Sequence, residues 1–182
     1  HWQFSTEATY YRNRIREWIQ WTPTGTQGIW SPQNLLAVKT EGLEFSLQSV
    51  FSKKSTTITC NFQYALNSAT YQQSESVEQI GRQLEYTPLH NFLTSLQAAH
   101  KDWLGNVTFS FTGTREIFGY NATMPAYALG NAMLGRNLKH NKVQYQLLFK
   151  CNNFLHTQYQ TYGYYAMPGR SFSLSLRFQF NP

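Results

Sequence analysis

The stretch Ser171-Phe-Ser-Leu-Ser-Leu-Arg-Phe-Gln-Phe180 decides the fold. Phe172, Leu174, Leu176, Phe178 and Phe180 fall on one parity, and Ser171, Ser173, Ser175, Arg177 and Gln179 fall on the other. Side chains alternate across a β-strand, so one face of this strand is wholly apolar and the other wholly polar. A run of about ten residues crosses a bilayer core when tilted. Two architectures use such a strand. One is a membrane-spanning barrel, with lipid outside and a wet lumen inside; the other is the edge of a soluble sandwich.

The alternation recurs upstream. Residues 2–21 read as one very long strand, with Phe4, Thr6, Ala8 and Tyr10 opposing Ser5, Glu7 and Thr9. Residues 35–50 place Leu43, Phe45 and Leu47 against Glu44, Ser46 and Gln48; residues 56–70 place Ile58, Cys60, Phe62 and Tyr64 against Thr57, Thr59, Asn61 and Gln63. Residues 83–100 form a less regular fourth strand, and 104–117 a fifth, with Val107, Phe109 and Phe111 on the apolar parity. The sixth, 126–138, has no readable parity. The seventh, 142–152, sets Val143, Tyr145, Leu147 and Phe149 against Gln144, Gln146 and Lys150, and 171–180 is the eighth. The connections alternate in length. Those at 22–34, 71–82, 118–125 and 153–170 are the longer ones, whereas 51–55, 101–103 and 139–141 are short. Membrane barrels have short turns at one rim and long loops at the other, a regularity that a soluble sandwich has no reason to show. The expected fold is therefore all-β, a transmembrane antiparallel up-and-down β-barrel with about eight strands in this chain. The first strand would span about 65 Å at ~3.3 Å per residue, which favours a large receptor barrel over a small one.

Composition agrees. Mean hydropathy is −0.48, and no run of eighteen apolar residues exists, which excludes a helical membrane span but not a barrel. Aromatic residues make up 16% and charged residues 13%, high and low respectively for a soluble surface. The net charge is +6, but the 15 basic residues are scattered, which argues against nucleic acid and leaves anionic lipid or an anionic ligand as partner. Cys60 and Cys151 both lie on apolar parities, four strands and about 19 Å apart around a barrel wall, too far for a disulfide. His1-Trp-Gln-Phe4 begins inside a strand with no signal-peptide pattern, so the chain is expected to be a piece of something longer.

Four segments together resemble the C-terminal part of TonB-dependent outer-membrane receptors. Tyr10-Tyr11-Arg-Asn-Arg-Ile15-Arg-Glu-Trp18-Ile-Gln-Trp21 is similar to the family's long strand leading into an external loop. Gly28-Ile-Trp30-Ser-Pro-Gln-Asn34, followed by Val38-Lys-Thr-Glu-Gly42-Leu-Glu44, resembles its return strand. Tyr86-Thr-Pro88-Leu-His90 resembles a strand opening. Asn152-Asn153-Phe-Leu-His-Thr-Gln-Tyr159, then Met167-Pro-Gly-Arg170 and the terminal strand, resembles the ending. The tryptophans and Trp30-Ser-Pro-Gln-Asn34 look most like the branch that includes vitamin B12-type receptors. The resemblance implies the last eight strands of a 22-stranded barrel in a bacterial outer membrane, spanning residues 1–182, with the plug and the energy-coupling box absent. It also implies a receptor that imports a scarce ligand such as a ferric siderophore, haem or cobalamin. Outer-membrane lipids, the imported ligand, TonB acting through the plug and a surface lipoprotein are the expected partners. A standalone eight-stranded barrel with a structural or adhesive role is the alternative.

No segment reads as catalytic, no cofactor is implied, and the histidines lack metal-ligand spacing. Trp30, Tyr71, Tyr120, Tyr162, Tyr164 and Tyr165 lie in or beside the long loops, where aromatics can grip apolar or ring-shaped ligands; Tyr159 shares the last loop. The expected ligand-binding set is Trp30, Tyr120, Tyr159, Tyr162, Tyr164 and Tyr165. Arg12, Arg14 and Arg16 share one parity, and an inward face would put them at the lumen mouth; salt bridges to a plug or a neighbouring wall strand are the other reading. Phe178 and Phe180 are the expected assembly signal, by resemblance to other outer-membrane barrels.

Overall fold

The computed structural model describes residues 1–24, 29–34, 37–74, 77–117, 122–140, 142–163 and 165–180. Twelve strands follow in chain order: β1 (Trp2–Arg16), β2 (Ile19–Thr24), β3 (Ile29–Asn34), β4 (Ala37–Lys53), β5 (Thr56–Gln73), β6 (His90–His100), β7 (Trp103–Thr112), β8 (Arg115–Glu116), β9 (Thr123–Met124), β10 (Tyr127–His140), β11 (Val143–Asn152) and β12 (Ser171–Phe180). Eight of them form one antiparallel sheet in the order β1-β4-β5-β6-β7-β10-β11-β12; β2-β3 and β8-β9 are separate two-stranded ribbons. Every partner in the large sheet is the next wall strand along the chain. The sheet does not close on itself, since β1 and β12 are its two edges.

Register carries the apolar parity across all eight strands. Ala8 faces Phe45, Phe45 faces Tyr64, Tyr64 faces Phe92 and Phe92 faces Phe111. Further along, Leu134 faces Phe149, and Phe149 faces Leu174. The opposite face is mainly polar, with Ser, Thr, Asn and Gln cross-linked at Gln48–Asn61 and Asn61–Ser95, and it also carries Leu93, Leu104, Leu129, Met133 and Leu148. Rings stack along the apolar face from Phe45 through Phe62 and Phe92 to Phe111, with centroids 5.3–6.5 Å apart. The apolar run on β1 goes from Trp2 to Tyr10, on β4 from Leu43 to Phe51, on β5 from Ile58 to Leu66 and on β12 from Phe172 to Phe180. Each covers about 26 Å along its strand, or about 20 Å of height at a ~40° tilt, most of the ~25 Å apolar band of a membrane barrel. Successive ladders are staggered. The row through Trp2 climbs through Phe51, Ile58, Ala98, Gly105, Leu134 and Phe149 to Leu174, six residues above the end of β12. Such a stagger is the shear that a tilted barrel wall requires.

The short connections gather at one end, where Lys54 and Lys101 take positive φ (53° and 51°) in two-residue turns. The long connections gather at the other end. Four expectations need correction. The first long strand breaks after Arg16, where Glu17 turns left-handed (φ 56°), and β2 then pairs with β3 instead of continuing the wall. The fourth wall strand starts at His90, not residue 83, because Pro88 has no N–H and Tyr86 is left-handed (φ 56°). The fifth ends at Thr112, with Arg115–Glu116 in a separate ribbon. The sixth acquires a parity from its neighbours: Ala128, Gly130, Ala132, Leu134 and Leu138 lie on the apolar face.

Phe62 sits mid-strand on the apolar face, and Gln63 beside it points to the polar face. Phe62→Arg in the full-length protein should cost about 2–4 kcal/mol of folding free energy in bilayers, and Gln63→Arg far less. Equal tolerance of the two in an equilibrium unfolding titration would overturn this assignment of faces.

Candidate functional site

The long-loop end of the polar face is built by side chains that reach across strands. At Gly42, an added Cβ would lie 2.2 Å from the Leu66 carbonyl oxygen and 2.7 Å from the Tyr11 hydroxyl. The bare backbone lets the Tyr11 ring cross β4 and donate to Asn67 Oδ1 (3.0 Å) on β5. Above this bond Val38, Ala69, Tyr71 and Leu84 form a buried cluster, with Trp18 packed against it. Tyr71 donates from its hydroxyl to Glu85 Oε2. Gln83 mends the interrupted ladder: its amide oxygen accepts from Ala69 N–H (3.0 Å), and its NH₂ donates to the Asn67 carbonyl (2.9 Å). A side-chain amide thus replaces a peptide group where the strand is irregular.

The last long connection is tied down by polar anchors. Asn153, 5% exposed and left-handed (φ 49°), receives Thr157 N–H on Oδ1 (3.0 Å) and donates to the Thr157 carbonyl (2.9 Å). Its own N–H donates to Asn131 Oδ1 (2.9 Å), and the Thr157 hydroxyl donates to the Ala128 carbonyl (2.7 Å). Arg115, 4% exposed, donates to the carbonyls of Gln160, Thr161 and Pro125 (3.1, 3.2 and 3.2 Å) and lies 5.0 Å from the centroid of the Tyr127 ring. This buried cation is held by carbonyl dipoles and a π-face, with no carboxylate partner among the described residues. Between these anchors lies a cavity of about 560 Å³, bordered by Tyr127, His156, Gln158, Tyr159 and Met167. A second groove, about 580 Å³, runs down the middle of the polar face past Glu7, Glu44, Gln63 and Asn91.

The residues expected to bind ligand are distributed unevenly. Tyr159 packs at a tilt against Tyr127 and Tyr162 against Tyr86 (ring centroids 4.8 Å apart in each pair), so both are fixed by the wall and its adjoining segment. Tyr162 still exposes 50% of its surface and Tyr165 67%. Trp30 is exposed on β3, in the separate β2-β3 ribbon. Tyr71 is not a loop aromatic: it is buried within β5. Tyr120 and Tyr164 lie outside the described residues. Arg12, Arg14 and Arg16 are not on the polar face. Unbroken β1–β4 register gives them the parity of Phe4 and Tyr10, and Arg12 Nε lies 3.6 Å from Glu41 on the neighbouring strand. Phe178 packs edge-on to Tyr145 (5.5 Å), and Phe180 faces Val143 at the short-turn end. Arg115 and Tyr127 carry no local signal, since their partners lie 10 to 46 residues away, whereas the Asn153 side chain bonds Thr157 only four residues on. Among the described residues no cluster of His, Cys, Asp or Glu could hold a metal. The arrangement presents aromatic and amide groups at the loop end of the polar face, suited to holding a ligand.

The chain is similar to known proteins. The sequence model of the TonB dependent receptor-like, beta-barrel family matches residues 2–154. The vitamin B12 transporter BtuB of Vibrio vulnificus (strain YJ016) is 50% identical over 38 residues, 21% of this chain and 6% of that protein. The crystal structure of the ferric-catecholate import receptor Fiu from E. coli K12 superposes with a TM-score of 0.64 at 20% identity, a likeness of fold. It covers 95% of this chain and 25% of that receptor, so the chain spans about a quarter of the receptor's length.

Because the Asn153 side chain closes the start of the last loop through two hydrogen bonds to Thr157, Asn153→Ala should destabilise the loop by about 1–3 kcal/mol. Limited proteolysis should then cleave between Phe154 and Gly163 much faster, with the β-sheet circular dichroism unchanged. An unaltered cleavage rate would show that Arg115 and the Thr157–Ala128 hydrogen bond hold the loop without the Asn153 side chain.

Proposed function

Since the chain belongs to the TonB-dependent receptor-like β-barrel family of the bacterial outer membrane, we propose that its eight strands are the C-terminal wall of a 22-stranded receptor barrel that binds a scarce ligand outside and imports it. The observation that carries this reading is a sheet with one mainly apolar face and one mainly polar face that stays open after eight strands. A standalone eight-stranded barrel would need β1 to pair with β12. The wall gives the lipid side its aromatic surface and the lumen side its amides. The exposed Tyr162 and Tyr165, with Trp30, form the outer ligand surface, whose aromatic character suits a ferric siderophore, haem or a corrinoid. The groove on the polar face fits contact with a plug, through which TonB would act. A surface lipoprotein over the loop end is a further partner in this reading.

Tyr162→Ala with Tyr165→Ala in the full-length receptor should leave the inserted amount unchanged and weaken ligand binding at least about tenfold. Unchanged affinity would move the ligand surface to the ribbon that carries Trp30. Phe180→Ala should do the reverse, lowering the amount inserted while the inserted fraction binds and transports normally. Normal insertion with reduced uptake would overturn an assembly role for the terminal aromatics.

A further inference from the structure

Arg115 and Glu116 are neighbours in β8, a strand of two residues, and neighbours in a strand send their side chains to opposite sides. Here the two sides belong to different connections. Arg115 reaches the one after β11, donating to the carbonyls of Gln160 and Thr161, which immediately precede Tyr162. Glu116 reaches the one between β5 and β6. Its carboxylate accepts from Arg82 Nη2 at 2.8 Å, and its carbonyl accepts from the Tyr86 N–H at 2.9 Å. Those two connections also meet directly, because the Tyr86 ring packs against the Tyr162 ring with centroids 4.8 Å apart. The contacts therefore close into a ring. It runs from Arg115 to Thr161, from Tyr162 to Tyr86, from Tyr86 and Arg82 to Glu116, and back along the backbone to Arg115. β8 is itself anchored, since it pairs with β9 and Arg115 also donates to the Pro125 carbonyl.

We propose that this ring makes the three connections one cooperative unit, in which Glu116, Arg82 and Tyr86 are positioning residues for Tyr162. In an open chain of contacts, breaking one frees one segment. In a closed ring each contact holds the partners of the next one close together, so the loss of one weakens the others. The outer members are individually weak. Arg82 and Glu116 keep 41% and 29% of their side-chain surface, and so exposed an ion pair shifts an equilibrium by at most about fivefold. A tilted aromatic pair contributes about two- to tenfold. Arg115 is the strong member: 4% exposed, it has given up water for carbonyl dipoles, and a cation left with fewer of them is costly to keep buried. The wall strands next to the ring, β5, β6, β7, β10 and β11, are all interior to the sheet, so their neighbours are present in this chain. The consequence for binding rests on Tyr162 being part of the proposed ligand surface, whereas the ring does not.

The test is hydrogen exchange, read by mass spectrometry, on the full-length receptor in detergent micelles with no ligand added. R82Q should speed amide exchange across 154–163 by about two- to fivefold, although Arg82 belongs to another connection, and Y86A by about two- to tenfold. R82Q/E116Q should be no faster than the faster single variant, because both changes remove the same ion pair. R82K, which keeps the charge, should restore most of the protection. V77S changes an 80% exposed side chain of the same connection outside the ring, and should leave 154–163 as it was. Three results would overturn the proposal: faster exchange confined to 77–90 in R82Q and Y86A, an equal response of 154–163 to V77S, or additive effects in R82Q/E116Q. If Y86A fails to insert, R82Q decides alone. Titration with cyanocobalamin or a ferric catecholate, whichever the wild type binds, separates the ring from the ligand reading. Equal affinity of the wild type and Y162A/Y165A would defeat that reading, while coupled exchange would leave the ring standing.

Discussion

In hydrocarbon a peptide group cannot borrow a hydrogen bond from water, so each N–H and C=O of the wall must find its partner in the next strand. Everything else in this chain follows from the ladders that meet this demand. Because side chains alternate with period two, a ladder held in register sorts residues into a lipid face and a lumen face, and a slip of one residue would invert both. Register continues without slippage from Trp2 to Arg16 along β1 and from Ser171 to Phe180 along β12. The apolar face can therefore be discontinuous in sequence yet continuous in space.

Glycine and aromatic residues cooperate where this sorting is tightest. On the lumen side Gly42 leaves room for the Tyr11 ring. On the lipid side the Phe154 ring covers Gly130, where an added Cβ would lie 2.5 Å from it, and meets Phe109 edge-on at 5.4 Å. The small residues of β10 thus acquire an apolar surface from the loop. Arg136, a cation on the apolar face, is covered by the Trp103 ring at 4.9 Å.

The wall was largely legible in the sequence wherever one parity was uniformly apolar. β12 occupies the residues that its alternation marks, and β11 differs by one residue. Legibility failed where the deciding partner was distant. β10 carries Ala128, Gly130 and Ala132 on one parity and Leu129 and Met133 on the other, so its faces are set by β7 and β11 and not by its own residues. The break at Glu17 lies inside an alternation that continues unchanged, because a left-handed glutamate has no compositional mark. Pro88, by contrast, was a readable warning in the fourth strand. For the arginines of β1 the residues left two readings, a lumen mouth or salt bridges to a plug or neighbouring wall strand; parity puts them with Tyr10, and Arg12 lies beside Glu41 of β4. At the loop end the aromatic residues were visible as types, but Arg115, which helps position them, acts through tertiary hydrogen bonds and leaves no local pattern.

The strictly sequential pairing of the wall also governs how fast it can form. Each ladder joins strands that are neighbours along the chain, and three of the seven need only a short turn. Lys54 and Lys101 bend two of these turns, and Lys101 N–H donates to the Ser55 carbonyl (3.0 Å), which links one hairpin to the next. Loop-closure entropy is small for such steps, so hairpins can zip one after another without waiting for distant segments to meet. The slow steps are left to the long connections, and there the chain supplies Gln83, Arg115 and Asn153 as latches that hold each returning strand once it arrives.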